Sequence, residues 1–261
     1  MHTTGIFAGK RRVAAWRTPS VTADFLKNFA CVVMMVQTIG IAVVEKGMIK
    51  LDGYTQAGLS QAMAQDSGLM FLAGLGSVMQ LVGGLAMPVF TFLLVEGFLH
   101  TSDYRRYFIR MAVTAAVSEI PYDLAMGNGG LDWGSQNAMV SMCICLLMLR
   151  FLQMFRDKKS VGGYMASAAV VLGAVLWVTL LRAQYGLCLV LLTAVFYLLY
   201  AKNVWKTVLG ILASLLYVTG PLSFYAIWCY NGSRKDRASK YVYYALYPLH
   251  LLVFALIARL V

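Results

Sequence analysis

Apolar runs close to or longer than the ~20 residues a helix needs to cross a hydrocarbon core follow one another along almost the whole 261-residue chain. Backbone N–H and C=O groups in lipid must pair within the chain, so runs of this kind are expected to fold as helices. Composition agrees: 60% of residues are hydrophobic and 13% charged, against about 25% charged in soluble domains. The expected fold is all-α, a polytopic transmembrane helical bundle of about eight spans (range about 8–10). The candidate spans are 23–45, 78–100, 106–126, 134–155, 162–182, 184–201, 205–229 and 241–260. The chain reads as a single integral membrane domain, 1–261. Within it, 1–21 is a basic cytoplasmic segment, 46–66 a polar or interfacial connection, and 67–261 the remaining spans. A weak interfacial-helix signal covers Tyr54–Met63, and the Gly-rich piece 67–77 either lengthens the second span or forms a re-entrant element.

The net charge of +11 sits in short clusters between the apolar runs, the pattern of a positive-inside topology signal, with no basic face left for a nucleic acid. Lys10, Arg11, Arg12 and Arg17 precede a run too long for a signal-peptide core, so the N-terminus is expected in the cytoplasm. That choice puts Arg105/Arg106/Arg110, Arg150/Arg156/Lys158/Lys159 and Lys202/Lys206 inside. It leaves the 120–135 connection, with Asp123 and Asp132 and no basic residue, outside. One cluster disagrees: Arg234, Lys235, Arg237 and Lys240 fall outside under an eight-span count. Either 162–201 is then not two full spans, or 67–100 crosses twice. The five cysteines lie in apolar runs as buried thiols, with no disulfide framework and no metal-ligand spacing. Gly83-Gly84 reads as helix packing and Gly127-Asn-Gly-Gly130 as a turn.

Ionisable groups inside such runs are costly and mark functional sites. Glu96 and His100 lie one helical turn apart in Pro88-Val-Phe-Thr-Phe-Leu-Leu-Val-Glu96-Gly-Phe-Leu-His100-Thr101, just before a basic exit. They share a helix face, which suits a general base and its orienting carboxylate; the alternative is an interfacial histidine with a structural partner. Ser118-Glu119-Ile-Pro121-Tyr122-Asp123 sets two carboxylates beside a helix-disrupting proline, ~20 Å along the span from Arg106. It reads either as a site or as a helix-ending turn with solvated acids. Gln136-Asn137 offers uncharged donors or a helix cap. Tyr241-Val-Tyr243-Tyr244-Ala-Leu-Tyr247-Pro248-Leu-His250 brings tyrosines of an interfacial belt and a buried histidine that needs a polar partner. No Walker loop, GxGxxG, HExxH or GxSxG is present.

The strings from Pro88 to Thr101, from Ser118 to Asp123, Gln136-Asn137 and Tyr247-Pro248-Leu-His250-Leu251 together resemble the TraX family. These membrane proteins are linked to N-acetylation of conjugative pilin and grouped with polytopic acyltransferases. The resemblance implies acetyl transfer from acetyl-CoA to an amine or hydroxyl of a peptide, pilin-like or small-molecule acceptor, in a bacterial inner (plasma) membrane and without a metal. It implies His100, Glu96 and Glu119 as catalytic residues, and Arg105, Arg106 and Arg110 as the site for the CoA phosphates. Asp123, Asn137, Tyr247 and His250 would line the acceptor side.

Three departures from the family pattern remove charge. An expected Asp-His pair in the first span is Gln37-Thr38, an arginine before the Pro88 segment is replaced where Gly83-Gly84 stand, and an Asp-Tyr-Gly is Gln184-Tyr185-Gly186. They favour a second expectation, a degenerate relative that binds a ligand or partner. A small proton-coupled transporter would also explain intramembrane Glu and His, but it predicts repeat-related halves that the sequence does not display.

Overall fold

The computed structural model describes residues 19–127, 134–156, 160–233 and 239–261. The basic clusters at 10–17, 158–159 and 234–237, Asp132, and most of the Gly127–Gly130 turn lie outside the described residues. Among the described residues the chain is helical, and its extended pairings are isolated bridges such as Val21 with Tyr230.

Helix starts follow from polar caps. Thr22 Oγ1 accepts the Phe25 N–H and opens α1 (Ala23–Thr38), which continues as a π-helix over Ile39–Ile49. Thr55 caps α2 (Gln56–Gln65), the helix expected around Tyr54–Met63, and Asp66 caps α3 (Ser67–Gly83). After a break at Gly84 and Leu85 comes α4 (Ala86–His100). α3 and α4 together form one apolar stretch, Ser67–His100, so 67–77 lengthens the second span. Asp103 caps α5 (Tyr104–Met126), Asn137 caps α6 (Ala138–Phe155) and Ser160 caps α7 (Val161–Leu180). Then follow α8 (Gly186–Leu198), α9 (Asn203–Ser214), a 3₁₀ turn at Gly220–Leu222, α10 (Ser223–Trp228) and α11 (Lys240–Ala258).

Five of these stretches are long and apolar enough to cross a bilayer: Ala23–Ile49, Ser67–His100, α6, α7 and α11. Three of the expected spans differ in kind. The one expected at 184–201 is α8, an apolar helix of only 13 residues. α5 runs the length of the bundle but carries Arg105, Arg106, Arg110, Glu119 and Asp123. The stretch 205–229 does not cross. α9 enters, turns and returns as α10, so that Trp228 Nε1 donates to Thr207 Oγ1 at 3.1 Å across the mouth of the hairpin. Cys229 and Asn231 pair with Val21, at the start of α1. The hairpin's turn lies against the α3–α4 break, where Thr219 Oγ1 donates to the Leu81 carbonyl and Ser223 Oγ to the Leu85 carbonyl at 2.7 Å. Each hydroxyl donates to a carbonyl flanking the break, using the second lone pair that a backbone oxygen offers.

This hairpin removes the conflict in the charge pattern. With 205–229 not crossing, Lys202 and Lys240 fall at the same end of the bundle as Lys27, Arg110 and Arg150. Lys27, Arg110 and Lys240 in fact line one opening. The proline expectations also change. α5 continues through Pro121 to Met126, and Asp123 is only 2% exposed, so the segment is neither a helix end nor a pair of solvated acids. A proline inside a helix removes one ladder bond and crowds the carbonyl four residues back, and packing against α11 and α6 carries α5 past it.

The core lies where α1, α4, α6 and α8 meet, with Leu26, Leu146, Leu149 and Leu189 fully buried. α7 presents Tyr164, Leu172 and Trp177 outward, the arrangement expected of a helix facing lipid. Close helix approach needs small residues: a Cβ on Gly40 would come within 2.8 Å of the Met79 Cβ, and one on Gly210 within 2.6 Å of the Phe224 ring. The topology is testable by cysteine accessibility. Lys202→Cys and Ser239→Cys should both react with an impermeant maleimide from one membrane face, and Asp52→Cys from the other. Reaction of Lys202→Cys and Ser239→Cys from opposite faces would show that the α9–α10 stretch crosses.

Candidate functional site

α1, α4, α5, α6 and α11 line a partly open cavity of about 460 Å3. Helical spacing explains its walls. Met87, Phe90, Leu94, Gly97 and His100 repeat at three to four residues on one face of α4, as do Lys27, Cys31 and Met34 on α1. One end is polar, with Lys27, Arg110, Lys240, Tyr243, Tyr244 and His100. The other is formed by Met87, Met139, Ala138, Tyr185 and Tyr247.

At the basic end Arg110 lies between two rings, 6.0 Å from the centroids of Tyr107 and Tyr244. Its buried Nε has no hydrogen-bond partner among the described residues. Tyr243 OH reaches Asp24 at 3.0 Å and Asn28 at 2.9 Å, fixing α11 to the start of α1. Arg105 and Arg106 are exposed at the same end but do not line the cavity, and Arg106 pairs with Asp103 at 3.0 Å. Of the three arginines expected at the CoA phosphates, Arg110 is therefore the one on the cavity wall.

His100 belongs to a second cavity as well, of about 510 Å3, with Glu96, Tyr200, Asn203, Lys206 and Trp228 on its walls. The Glu96 side chain is buried and accepts from Tyr200 OH at 2.9 Å. Glu96 also acts through its backbone: His100 Nδ1 lies 3.0 Å from the Glu96 carbonyl oxygen. A carbonyl only accepts, so Nδ1 carries a proton, and in the neutral ring the lone pair is on Nε2, the tautomer of a general base.

The second expected group is at the far end. Asn137 Nδ2 donates to the Ala115 carbonyl at 2.8 Å and to Glu119 Oε2, while Asn137 Oδ1 caps α6 through the Met139 N–H. Glu119 Oε1 has no hydrogen-bond partner among the described residues. Tyr247 OH accepts the Ala138 N–H at 3.3 Å, at the inner end of the first cavity. One turn on, His250 Nδ1 donates to the Leu246 carbonyl at 2.9 Å and Nε2 faces Thr38 Oγ1 at 3.2 Å. The fold thus joins Glu119, Asn137, Tyr247 and His250 into one region, separated from His100 by the length of the cavity. Among the described residues no group of three or more His, Cys, Asp or Glu is placed to hold a metal.

A family model described as TraX protein matches residues 22–258. The chain belongs to the TraX family. No curated protein matches it, and no solved structure does.

Gln37, Gly83 and Tyr185, from the three stretches where charge was expected, lie together at the far end. A Cβ on Gly83 would fall 2.3 Å from that of Gln37, so the glutamine occupies the space over the glycine. Gln37 hydrogen-bonds Tyr185, the residue after Gln184. Thr38 is the partner that His250 needs. Sequence reasoning missed Lys27, Tyr200 and Lys206. A lysine one turn inside the first apolar run was the available signal for Lys27; nothing local ties Tyr200 or Lys206 to Glu96. Gly83→Leu should destabilise the protein by about 1–3 kcal/mol through overpacking against Gln37, and Thr38→Val by about 1 kcal/mol through loss of the His250 partner. Thermal unfolding in detergent measures both.

Proposed function

We propose that this TraX-family protein transfers an acyl group from an acyl-CoA, acetyl-CoA by resemblance, to an amine or hydroxyl of a peptide, pilin-like or small-molecule acceptor. The setting is the bacterial inner membrane with the N-terminus in the cytoplasm, so that the basic end meets soluble CoA thioesters. The observation carrying the reading is that His100 stands on the wall shared by two cavities.

Lys27, Arg110 and Lys240 at the mouth of the first cavity suit the CoA phosphates, and the unpartnered Arg110 Nε offers a donor in a fixed plane. Bound acyl-CoA supplies the thioester. The second cavity, with Glu96 and Tyr200, holds the acceptor. His100 Nε2 takes the proton from the acceptor amine or hydroxyl as its nitrogen or oxygen bonds to the acyl carbon. The C–S bond then breaks, and His100 returns the proton to the departing sulfur. Glu96 fixes the ring through its backbone carbonyl and orders Tyr200 through its carboxylate. Glu119, Asn137, Tyr247 and His250 brace the far end of the donor cavity.

The test is purified protein in nanodiscs with labelled acetyl-CoA and a candidate amine. His100→Ala should lower kcat by about 10²–10⁴-fold, the usual worth of a general base. Glu96→Gln keeps the carbonyl that holds His100 and should cost less. Transfer undiminished in His100→Ala removes His100 from the mechanism.

The packing of Gln37 over Gly83 favours a second reading, a degenerate relative that keeps the cavity for ligand binding alone, because the far end is closed where the family carries charge. Gln37→Asp combined with Thr38→His separates the two readings. Activity only in that variant supports the degenerate reading, and wild-type turnover ends it.

A further inference from the structure

We propose that the acyl group carried in the first cavity is a chain of medium to long length rather than acetyl alone. This assignment rests on the acyl-transfer reading and names the donor class for the same site.

Three observations carry it. First, the cavity continues well past His100. Its α4 wall runs from His100 back to Met87, about 20 Å at 1.5 Å per residue. An acyl carbon held at His100 therefore faces room for about fifteen further carbons at ~1.3 Å each along a zigzag of ~1.5 Å bonds. Second, the cavity is elongated rather than round, its volume of about 460 Å3 reaching along the ~20 Å of that wall. Third, the wall between the two ends is apolar. Cys31, Met34, Leu94, Met111 and Met142 offer no amide or hydroxyl partner. The pantetheine arm of CoA contains two amides, which would be left unpaired there. An alkyl chain needs no partners, and flexible methionines adapt to it. The charged part of the donor then stays at the mouth with Lys27, Arg110 and Lys240, and only the acyl chain passes inward.

The test is equilibrium binding of non-hydrolysable thioether analogues of acyl-CoA, from acetyl to palmitoyl, to the full chain in nanodiscs, alongside transfer assays with the matching thioesters. Affinity should rise by up to about fourfold per buried methylene, reach a plateau when the cavity is full, and be at least about a hundredfold tighter for decanoyl than for acetyl. Met142→Trp should bring the plateau to shorter chains; if that variant does not fold, the wild-type series decides alone. A flat series from acetyl to palmitoyl overturns the chain assignment, and acetyl transfer in the same preparation would leave the acyltransferase reading standing. Chain-dependent binding with no transfer to any acceptor keeps the chain in the cavity and retires the transferase reading. Competition by dodecylphosphocholine as strong as by lauroyl analogues makes a bilayer lipid the occupant and overturns the donor assignment.

Discussion

A low-dielectric surround makes an unpaired charge or an open backbone group expensive, and the placement of polar residues in this bundle follows from that cost. Lys27, Arg110 and Lys240 gather at one opening. Glu119 and Asn137 bond each other at the far end, and the buried Glu96 is held by Tyr200. The same constraint explains the hairpin of α9 and α10. A chain that turns inside the bundle must satisfy its turn, and Thr219 and Ser223 do so on carbonyls of the α3–α4 break. Two interruptions in separate helices thus complete each other, and each would be costly alone.

The helical bundle, the basic end and the first two apolar stretches were legible in the sequence because they depend on apolar length and charge asymmetry, both local quantities. The α9–α10 hairpin was not legible. Its residues 205–229 are apolar enough to read as a span, and the reversal depends on bonds from Thr219, Ser223 and Trp228 to partners distant in sequence. The mismatched cluster ending at Lys240 was the trace it left in the sequence. α5 shows the opposite case: Pro121 looks like a stop signal locally, yet packing carries the helix on to Met126.

The candidate site was legible in part. Glu96 and His100 share a face as their spacing predicts, but the bond between Nδ1 and the Glu96 main chain is invisible to a pattern of side chains. Asn137, Tyr247 and His250 come together with Glu119 at the far end of a cavity rather than opposite His100. The departures at Gln37, Thr38 and Gly83 make physical sense only in three dimensions. Gln37 fills the volume over Gly83, while Thr38 satisfies His250. The set is neutral and closely packed, and a single substitution there would leave either a clash or an unpaired buried group.

That rearrangement bears on where the chemistry sits. With Gln37 and Thr38 at the far end, the imidazole there is His250, whose Nδ1 bonds Leu246 and whose Nε2 faces a hydroxyl that also reaches the Met34 carbonyl. One hydroxyl proton cannot serve both acceptors, so Thr38 donates to neutral His250 or, once the imidazole is protonated, to Met34. His250 therefore belongs to a closed side-chain network, whereas His100 stands on the walls of two cavities with its tautomer set by a backbone carbonyl. A base that must meet a substrate needs access as well as orientation, and of the two histidines His100 has both.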